Sequence, residues 1–408
     1  MAKLALLDGH SLAYRAFYAL PSDLATPAGQ VTNAVLGFNN MLIRLLREEQ
    51  PDAVAVAWDV RGPSLRKEKY PEYKAQRDAP PDIFASQLPL IREVLDVLKI
   101  SQLTSPGFEA DDVIATVTDK AIADSWQVIV VTGDRDSFQL VNDDVTVLYT
   151  RRGISDVVTA SPEWITEKYG VTPGQYRDYA ALRGDSSDNL PGVPGVGEKT
   201  AARLIANYGS LDGIYENLED QTPKLRENLE KHRDQVYLNR DLMEMFTDVP
   251  VAESPDGIEV ADFLLQEWER DDVHPVFEGL AFRDAWERLT ELGGYHSEAA
   301  RSRDVEVITI ATEAGIRKAV ANETAAIEPV WDAGGITGVV LATGPEDAAF
   351  VPEEHLELVV GCVDSEAGVA AHDAKRLYRT LLDSDLEPPP LGFDTALAAY
   401  IINPGQRA

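Results

Sequence analysis

The chain has 408 residues, enough for two or three domains that each bury a core, and its apolar fraction of 44% is ordinary for a globular protein. A single cysteine, Cys362, excludes an internal disulfide framework and suits a reducing compartment. The net charge of −32 argues at first sight against a nucleic-acid partner, yet 241–408 carries 34 acidic and 11 basic residues, whereas 1–240 carries 35 and 26.

No apolar run approaches the roughly 20 residues that a membrane helix needs. The opening "MAKLALLDGH" is too short and is interrupted by Asp8, so it reads as a buried strand rather than a leader. Three apolar runs follow one another, "LALLD" (4–8), "AVAVAWD" (53–59) and "QVIVVTGD" (127–134), each ending in aspartate. Helical patterns over 33–49, 84–98 and 110–124 lie between them. This alternation predicts an α/β fold with a mostly parallel sheet and helices on both faces. Ligands of such sheets sit at the carboxyl ends of the strands, so Asp8, Asp59 and Asp134 point at one edge.

More acids converge on that edge. "GFEADDVIAT" opens a helix with Glu109, Asp111 and Asp112, two acids more than a helix cap needs. "TGDRD" adds Asp136, and "RGDSSDNLPG" adds Asp185 and Asp188, one turn apart if that stretch is helical. Any single one is an ordinary cap or turn residue; nine together are not. Two bare carboxylates about 4 Å apart repel by about 4 kcal/mol at an effective dielectric near 20, so the cluster calls for cations. Oxygen-only donors select hard ions, Mg2+ or Mn2+, and two such ions suit phosphodiester hydrolysis because they clamp the attacking and leaving oxygens. Glu109 and Asp111 are the members expected to face the ions, with Asp112 behind them.

Residues 173–240 read as short helices. Within them "GVPGVGEKTA" places Gly192, Gly195 and Gly197 in a tight turn before a helix that begins near Glu198. The turn lets backbone approach a ligand, the helix start offers N–H groups, and Lys199 and Thr200 add donors: a helix-hairpin-helix signature that grips DNA phosphates without reading sequence. The stretch "RGPSLRKEKYPEYKAQR" (61–77) carries six basic and two acidic side chains. Arg66, Lys67, Lys74 and Arg77 read either as a solvated helix face, the usual meaning of a charge run, or, with Tyr70 and Tyr73 interleaved, as a single-strand stacking surface, the reading favoured here.

In order along the chain, "LLDGHSLAYRAFYAL", "AWDVRGPSLRKEKYPEYKAQR", "GFEADDVIAT", "VTGDRDSFQLV" and "LRGDSSDNLPGVPGVGEKTA" resemble the motifs of the 5′-nuclease domain of bacterial DNA polymerase I, a branch of the flap endonuclease superfamily. The resemblance spans residues 1 to about 290. It implies a PIN-like catalytic core (1–172) with a helical arch over about 61–90, then a helical DNA-binding subdomain (173–292). The family's metal-binding acids fall on the nine positions above, all unchanged. Arg15, Arg66, Tyr73, Lys74 and Arg77 are the implied DNA contacts of the core and arch, with Arg66 and Lys74 acting in catalysis. Implied too are a 5′–3′ exonuclease and flap endonuclease activity on DNA with 5′ flaps, nicks or RNA primers, and a cytoplasmic, nucleoid-associated location.

After linkers around 251–260 and at 293–304, residues 305–408 are similar to the 3′–5′ exonuclease-like domain of the same family, an RNase H-like α/β unit. There Glu328 and Val330 in "AIEPVWD", and Leu377 in "AAHDAKRLYRTLL", stand where the family has metal-binding acids, while Asp394 is kept. The unit is therefore expected to be degenerate and truncated, with a polymerase domain belonging to the full-length protein. A non-catalytic scaffold for branched DNA is the alternative, and substituted acids in the first domain would favour it; none is substituted. A small RNase of the PIN-like fold would lack the arch and hairpin.

Overall fold

A computed structural model describes residues 2–60, 62, 64–77, 79–251, 259–293, 295–296, 306–320, 325–332, 335–342, 347–363 and 368–402. The expected linkers fall largely outside these residues. The chain divides into two compact units, 1–297 and 298–408.

In the first unit, β1 (Lys3–Asp8), α1 (Gly9–Ala19), α2 (Asn33–Glu49) and β2 (Ala53–Ala57) are followed by α3 (Leu65–Lys69), α4 (Asp82–Ala85), α5 (Leu88–Val97) and β3 (Ser101–Leu103). Then come α6 (Ala110–Ala123), β4 (Gln127–Thr132), β5 (Val145–Arg152) and β6 (Asp156–Ala160). The strands form one sheet in the order β3-β2-β1-β4-β5-β6, parallel except for β6. Central strands covered on both faces need apolar residues throughout, and β2 is buried along its whole length. Alternate residues serve opposite faces: Leu4 and Leu6 pack with α6 on one side, Ala5 and Leu7 with α1, α2 and α5 on the other. Register sets Asp8 beside Ala57, with Leu7 beside Val131, so Asp59 and Asp134 lie just past the same edge as Asp8.

The chain continues through α7 (Pro162–Tyr169), α8 (Pro173–Arg183), β7 (Gly184–Asp185), β8 (Leu190–Pro191) and α9 (Glu198–Tyr208). β7 and β8 form a two-stranded antiparallel hairpin, so Asp185 and Asp188 sit on a strand end and a turn rather than one helical turn apart. A Cβ on Gly192 would run into the carbonyl of Arg183, and Gly195 has φ +83°, a left-handed backbone that favours glycine. Helices at Arg270–Gly279 and Arg283–Glu291 close the unit against α5 and α2.

The second unit is a six-stranded sheet ordered 306–309, 347–352, 335–342, 325–332, 369–371, 391–394, in which 335–342 runs antiparallel to both neighbours. Leaving aside 306–309, the order 3-2-1-4-5 with helices between the later strands is the RNase H-like arrangement expected for this segment. Leu377 lies in its core, packed with Ile327, Leu341 and Val369.

Candidate metal-dependent nuclease site

Asp8 ends β1 and caps α1, accepting from the Ser11 amide at 3.0 Å and from the Thr132 hydroxyl at 2.9 Å. Burial pushes its carboxyl up to about 7, helped by the nearby charges of Asp59 and Asp134. Asp59 accepts from the amide of Ala110 at 2.9 Å, which ties the end of β2 to the start of α6. Loss of solvent also raises Asp111, Asp134 and Asp136, and in each the neighbouring carboxylates add to it. The sheet edge thus crowds acids until they resist ionising together.

Glu109 behaves differently. Burial would raise it, but Lys74, at 2.7 Å, and Arg66, at 3.8 Å, outweigh that and hold it below its ordinary value. Lys74 also lies 3.9 Å from Asp188 and is held well above the usual lysine range: burial opposes its charge, and the surrounding acids with Tyr73 prevail. Arg77 donates to Asp188 at 2.6 Å. Segment 73–77 is therefore laid over Glu109 and Asp188, with Lys74 at φ +55°, a rare conformation for a side-chain-bearing residue.

Three sequence expectations are corrected here. Asp112 is fully buried, and both its oxygens accept from Arg66 at 2.7 Å, while it also receives the amides of Glu109 and Phe246 at 3.0 Å. With its lone pairs so taken, it is a structural anchor and not a metal ligand. Arg66 is 5% exposed and spends its remaining donors on the carbonyls of Leu242 and Glu244, so it joins α3 and α6 to 242–244 instead of reaching a phosphate. Tyr73 is 4% exposed, and its hydroxyl lies 3.0 Å from Asp188 and 3.2 Å from Glu109; its ring is not free to stack on a base.

The other expected residues, Arg15 apart, fall into two places. Asp8, Asp59, Glu109, Asp111, Asp134, Asp136, Asp185 and Asp188 are coupled electrostatically or through Lys74 around the sheet edge. Gly192, Gly195, Gly197, Lys199 and Thr200 lie at the hairpin and the first turn of α9, where Gly197 is the N-cap and Lys199 is exposed. Arg15 donates to the carbonyl of Arg151 at 2.7 Å, beside Gly133. Sequence reasoning missed His10, which accepts from the Asp59 amide at 3.2 Å and lies 3.6 Å from the Asp59 carboxylate. Burial lowers His10 and Arg92 adds to that, with Asp59 opposing. Its position in the first turn after Asp8 was the available signal. Ser11 and Thr132 were missed as well.

Among the described residues no three acid or histidine side chains already surround a single point as an ion's ligands do. Lys74, Tyr73 and Arg77 hold oxygens of Glu109 and Asp188 in their place. The donor set, all carboxylate and strained by its own charge, still fits a hard divalent cation.

A sheet edge lined with carboxylates beside a helix-hairpin-helix defines a nuclease core. Residues 3–170 match the family model of the 5′-3′ exonuclease N-terminal resolvase-like domain, and 171–266 match that of the 5′-3′ exonuclease C-terminal SAM fold. The two matches run without a gap over well more than half of the chain, which belongs to the 5′-3′ exonuclease family. It is 43% identical over 425 residues to DNA polymerase I of Mycobacterium tuberculosis (strain ATCC 25618 / H37Rv), covering 99% of this chain and 46% of that protein. To DNA polymerase I of Bacillus subtilis (strain 168) it is 39% identical over 415 residues, with the same coverage of 99% and 46%. The chain thus spans about half the length of these relatives. Among solved structures, a bacteriophage T5 flap endonuclease in a complex with DNA and metal ions aligns with TM-score 0.50 at 19% identity, over 71% of this chain and 97% of that one, a likeness of fold.

Proposed function

We propose that the chain is a 5′–3′ exonuclease and structure-specific 5′-flap endonuclease, acting on DNA and on RNA primers as the N-terminal part of a DNA polymerase I in replication and repair. The observation that carries this reading is geometric: β1, β2 and β4 run parallel in register and bring Asp8, Asp59 and Asp134 to one sheet edge, where the crowded charges raise Asp8, Asp111, Asp134 and Asp136. Such a cluster costs stability unless a cation relieves it.

Asp8, Asp59, Glu109, Asp111, Asp134, Asp136, Asp185 and Asp188 would hold Mg2+ or Mn2+, two or more ions in all. Bound there, the ions would supply the positive charge that a phosphodiester under attack needs. The chain's own residues do the placing. Lys74 and Arg77, poised over Glu109 and Asp188, would face the scissile phosphate from the arch. Thr132 and Ser11 orient Asp8, and His10 with the Ala110 amide orients Asp59. Lys199, Thr200 and the glycine turn grip duplex phosphates away from the cut. Arg15 adds a contact near Gly133.

The second unit does not proofread in this reading. Leu377 is in the core and Val330 has no donor atom, while Asp394 has its oxygens on the amides of Ala374, Ala396 and Leu397. The chain would work in the cytoplasm on the nucleoid, joined to a polymerase domain in the full-length protein. Cleavage of a 5′-flap DNA beside a blunt duplex, with Mg2+ and with chelator, tests the proposal. Mg2+-dependent release of the flap is the expected result; tight binding of the branched DNA with no cleavage would make the protein a scaffold.

A further inference from the structure

We infer that Arg135, braced by Tyr149, holds a backbone phosphate of the substrate in the groove that joins the carboxylate edge to the hairpin. The inference rests on the nuclease reading above. The groove has a volume of about 850 Å³, and Asp134, Arg135, Tyr149, Arg183, Gly192 and Glu198 are among the residues that line it. Small-molecule pockets are mostly apolar and enclosed. This one is open; its charged lining residues are acidic at Glu72, Asp134, Asp185 and Glu198 and basic only at Arg135 and Arg183, so the two arginines are the positions in it that can take a phosphate.

Arg135 sits in sequence between two acids of the cluster, and its own side chain is exposed. Its Nε donates to the Tyr149 hydroxyl at 3.1 Å, and its guanidinium lies 5.9 Å from the centre of that buried ring. Among the described residues it has no carboxylate within ion-pair distance, although the chain is strongly acidic and Arg66 has two and Arg77 one. A guanidinium fixed at Nε keeps its two terminal nitrogens together as a fork, the geometry that matches a phosphate's paired oxygens. Arg183 is the weaker second contact. It lies over the Tyr179 ring at 5.6 Å, and Glu198 at 3.6 Å and Asp185 at 3.9 Å share its charge.

The test is fluorescence anisotropy of a labelled 5′-flap duplex with the full chain in chelator, across a salt series, alongside Mg2+-dependent cleavage by the unaltered protein. Arg135→Gln is expected to weaken binding about 10-fold, the value of a hydrogen-bonded charged contact, and to lower the slope of log affinity against log salt by about one phosphate. Arg135→Lys should keep the slope, and Tyr149→Phe should lose about 2–3-fold in affinity with the slope kept, because only the brace is removed. Arg135→Gln with unaltered affinity and slope would overturn the inference. If that variant does not fold, as judged by circular dichroism, Tyr149→Phe decides, and unaltered affinity there overturns it equally. An unaltered protein that never cuts the flap defeats the nuclease reading instead, so the two failures are told apart.

Discussion

Asp8 and Asp394 occupy the same local place in two different sheets. Each ends a strand, each is buried, and each accepts from an amide of the helix that follows. Their electrostatics are opposite. Burial and the charges of Asp59 and Asp134 raise Asp8 to about 7. For Asp394 burial works in the same direction, but the amides of Ala374, Leu397 and Ala396 outweigh it and the carboxyl ends below its ordinary value. A strand-end aspartate is thus a cap when amides surround it and a candidate metal ligand when other acids do. The difference lies in neighbours far along the chain, not in the local motif.

The sharpest way to break this comparison is to remove one acid from each sheet. Asp134→Asn or Asp111→Asn is expected to lower flap cleavage by at least about 100-fold, comparable to losing a principal electrostatic contact in a transition state, while DNA binding in chelator persists. Asp394→Asn should leave cleavage alone and cost only about 1 kcal/mol of stability, as a lost cap does, read by chemical denaturation. Full-rate cleavage by Asp134→Asn would remove it from the site.

Arg66 and Lys74 sharpen the contrast within the basic segment. Arg66→Ala strands Asp112 as an unpaired buried charge, so a loss of about 3–5 kcal/mol in unfolding free energy is expected. If Arg66→Ala kept its stability and lost only cleavage, Arg66 would be a substrate contact after all. Lys74→Ala should instead fold and lose more than about 10-fold in single-turnover cleavage, since positioning errors of about 1 Å cost up to about 100-fold. Weakened duplex binding with an unaltered single-turnover rate would move Lys74 to docking.

The raised acids also set a pH dependence. In Asp8 the native state keeps a proton that the unfolded chain has lost, so its contribution to stability is complete below about 4 and disappears as pH rises through about 7. Asp111, Asp134 and Asp136 act in the same direction. Glu109, being lowered, changes only at acid pH, and His10, also lowered, adds nothing to the trend above its ordinary value of 6.5. Metal-free protein should therefore lose about 2–4 °C in Tm between pH 6.5 and 8, and Mg2+ should restore more at pH 8 than at pH 6.5. A Tm that is flat or rising with pH would contradict the crowding. The smallest expected effect is at the hairpin, where Lys199→Ala should reduce the salt slope of duplex binding by about one phosphate. An unaltered slope would mean that α9 docks through its backbone alone.

Much of this was legible in the sequence because it is local or periodic. Three buried runs each followed by aspartate place β1, β2 and β4 and the acids of their shared edge, and the glycine spacing marks the hairpin before α9. What escaped depends on partners far along the chain. Arg66 reads as one more surface cation of a basic run, and only the fold brings it to Asp112 and to the carbonyl of Leu242, 176 positions away. Tyr73 reads as a stacking ring until segment 73–77 folds onto Glu109 and Asp188. His10 and Arg135 each sit one or two positions from an expected acid, and the sequence does not show which way either side chain turns.

The proposed cation site depends on crowding rather than on the mere presence of strand-end acids. Calorimetric titration of Mn2+ into the chain at pH 7, in two buffers of different ionisation enthalpy, tests it directly. Binding with release of protons is expected, kept by Asp394→Asn and weakened at least about 10-fold by Asp8→Asn, because ligand carboxylates near their pKa must shed protons to bind. Equal Mn2+ affinity in the unaltered chain and in Asp8→Asn, or binding with no proton release, would contradict it.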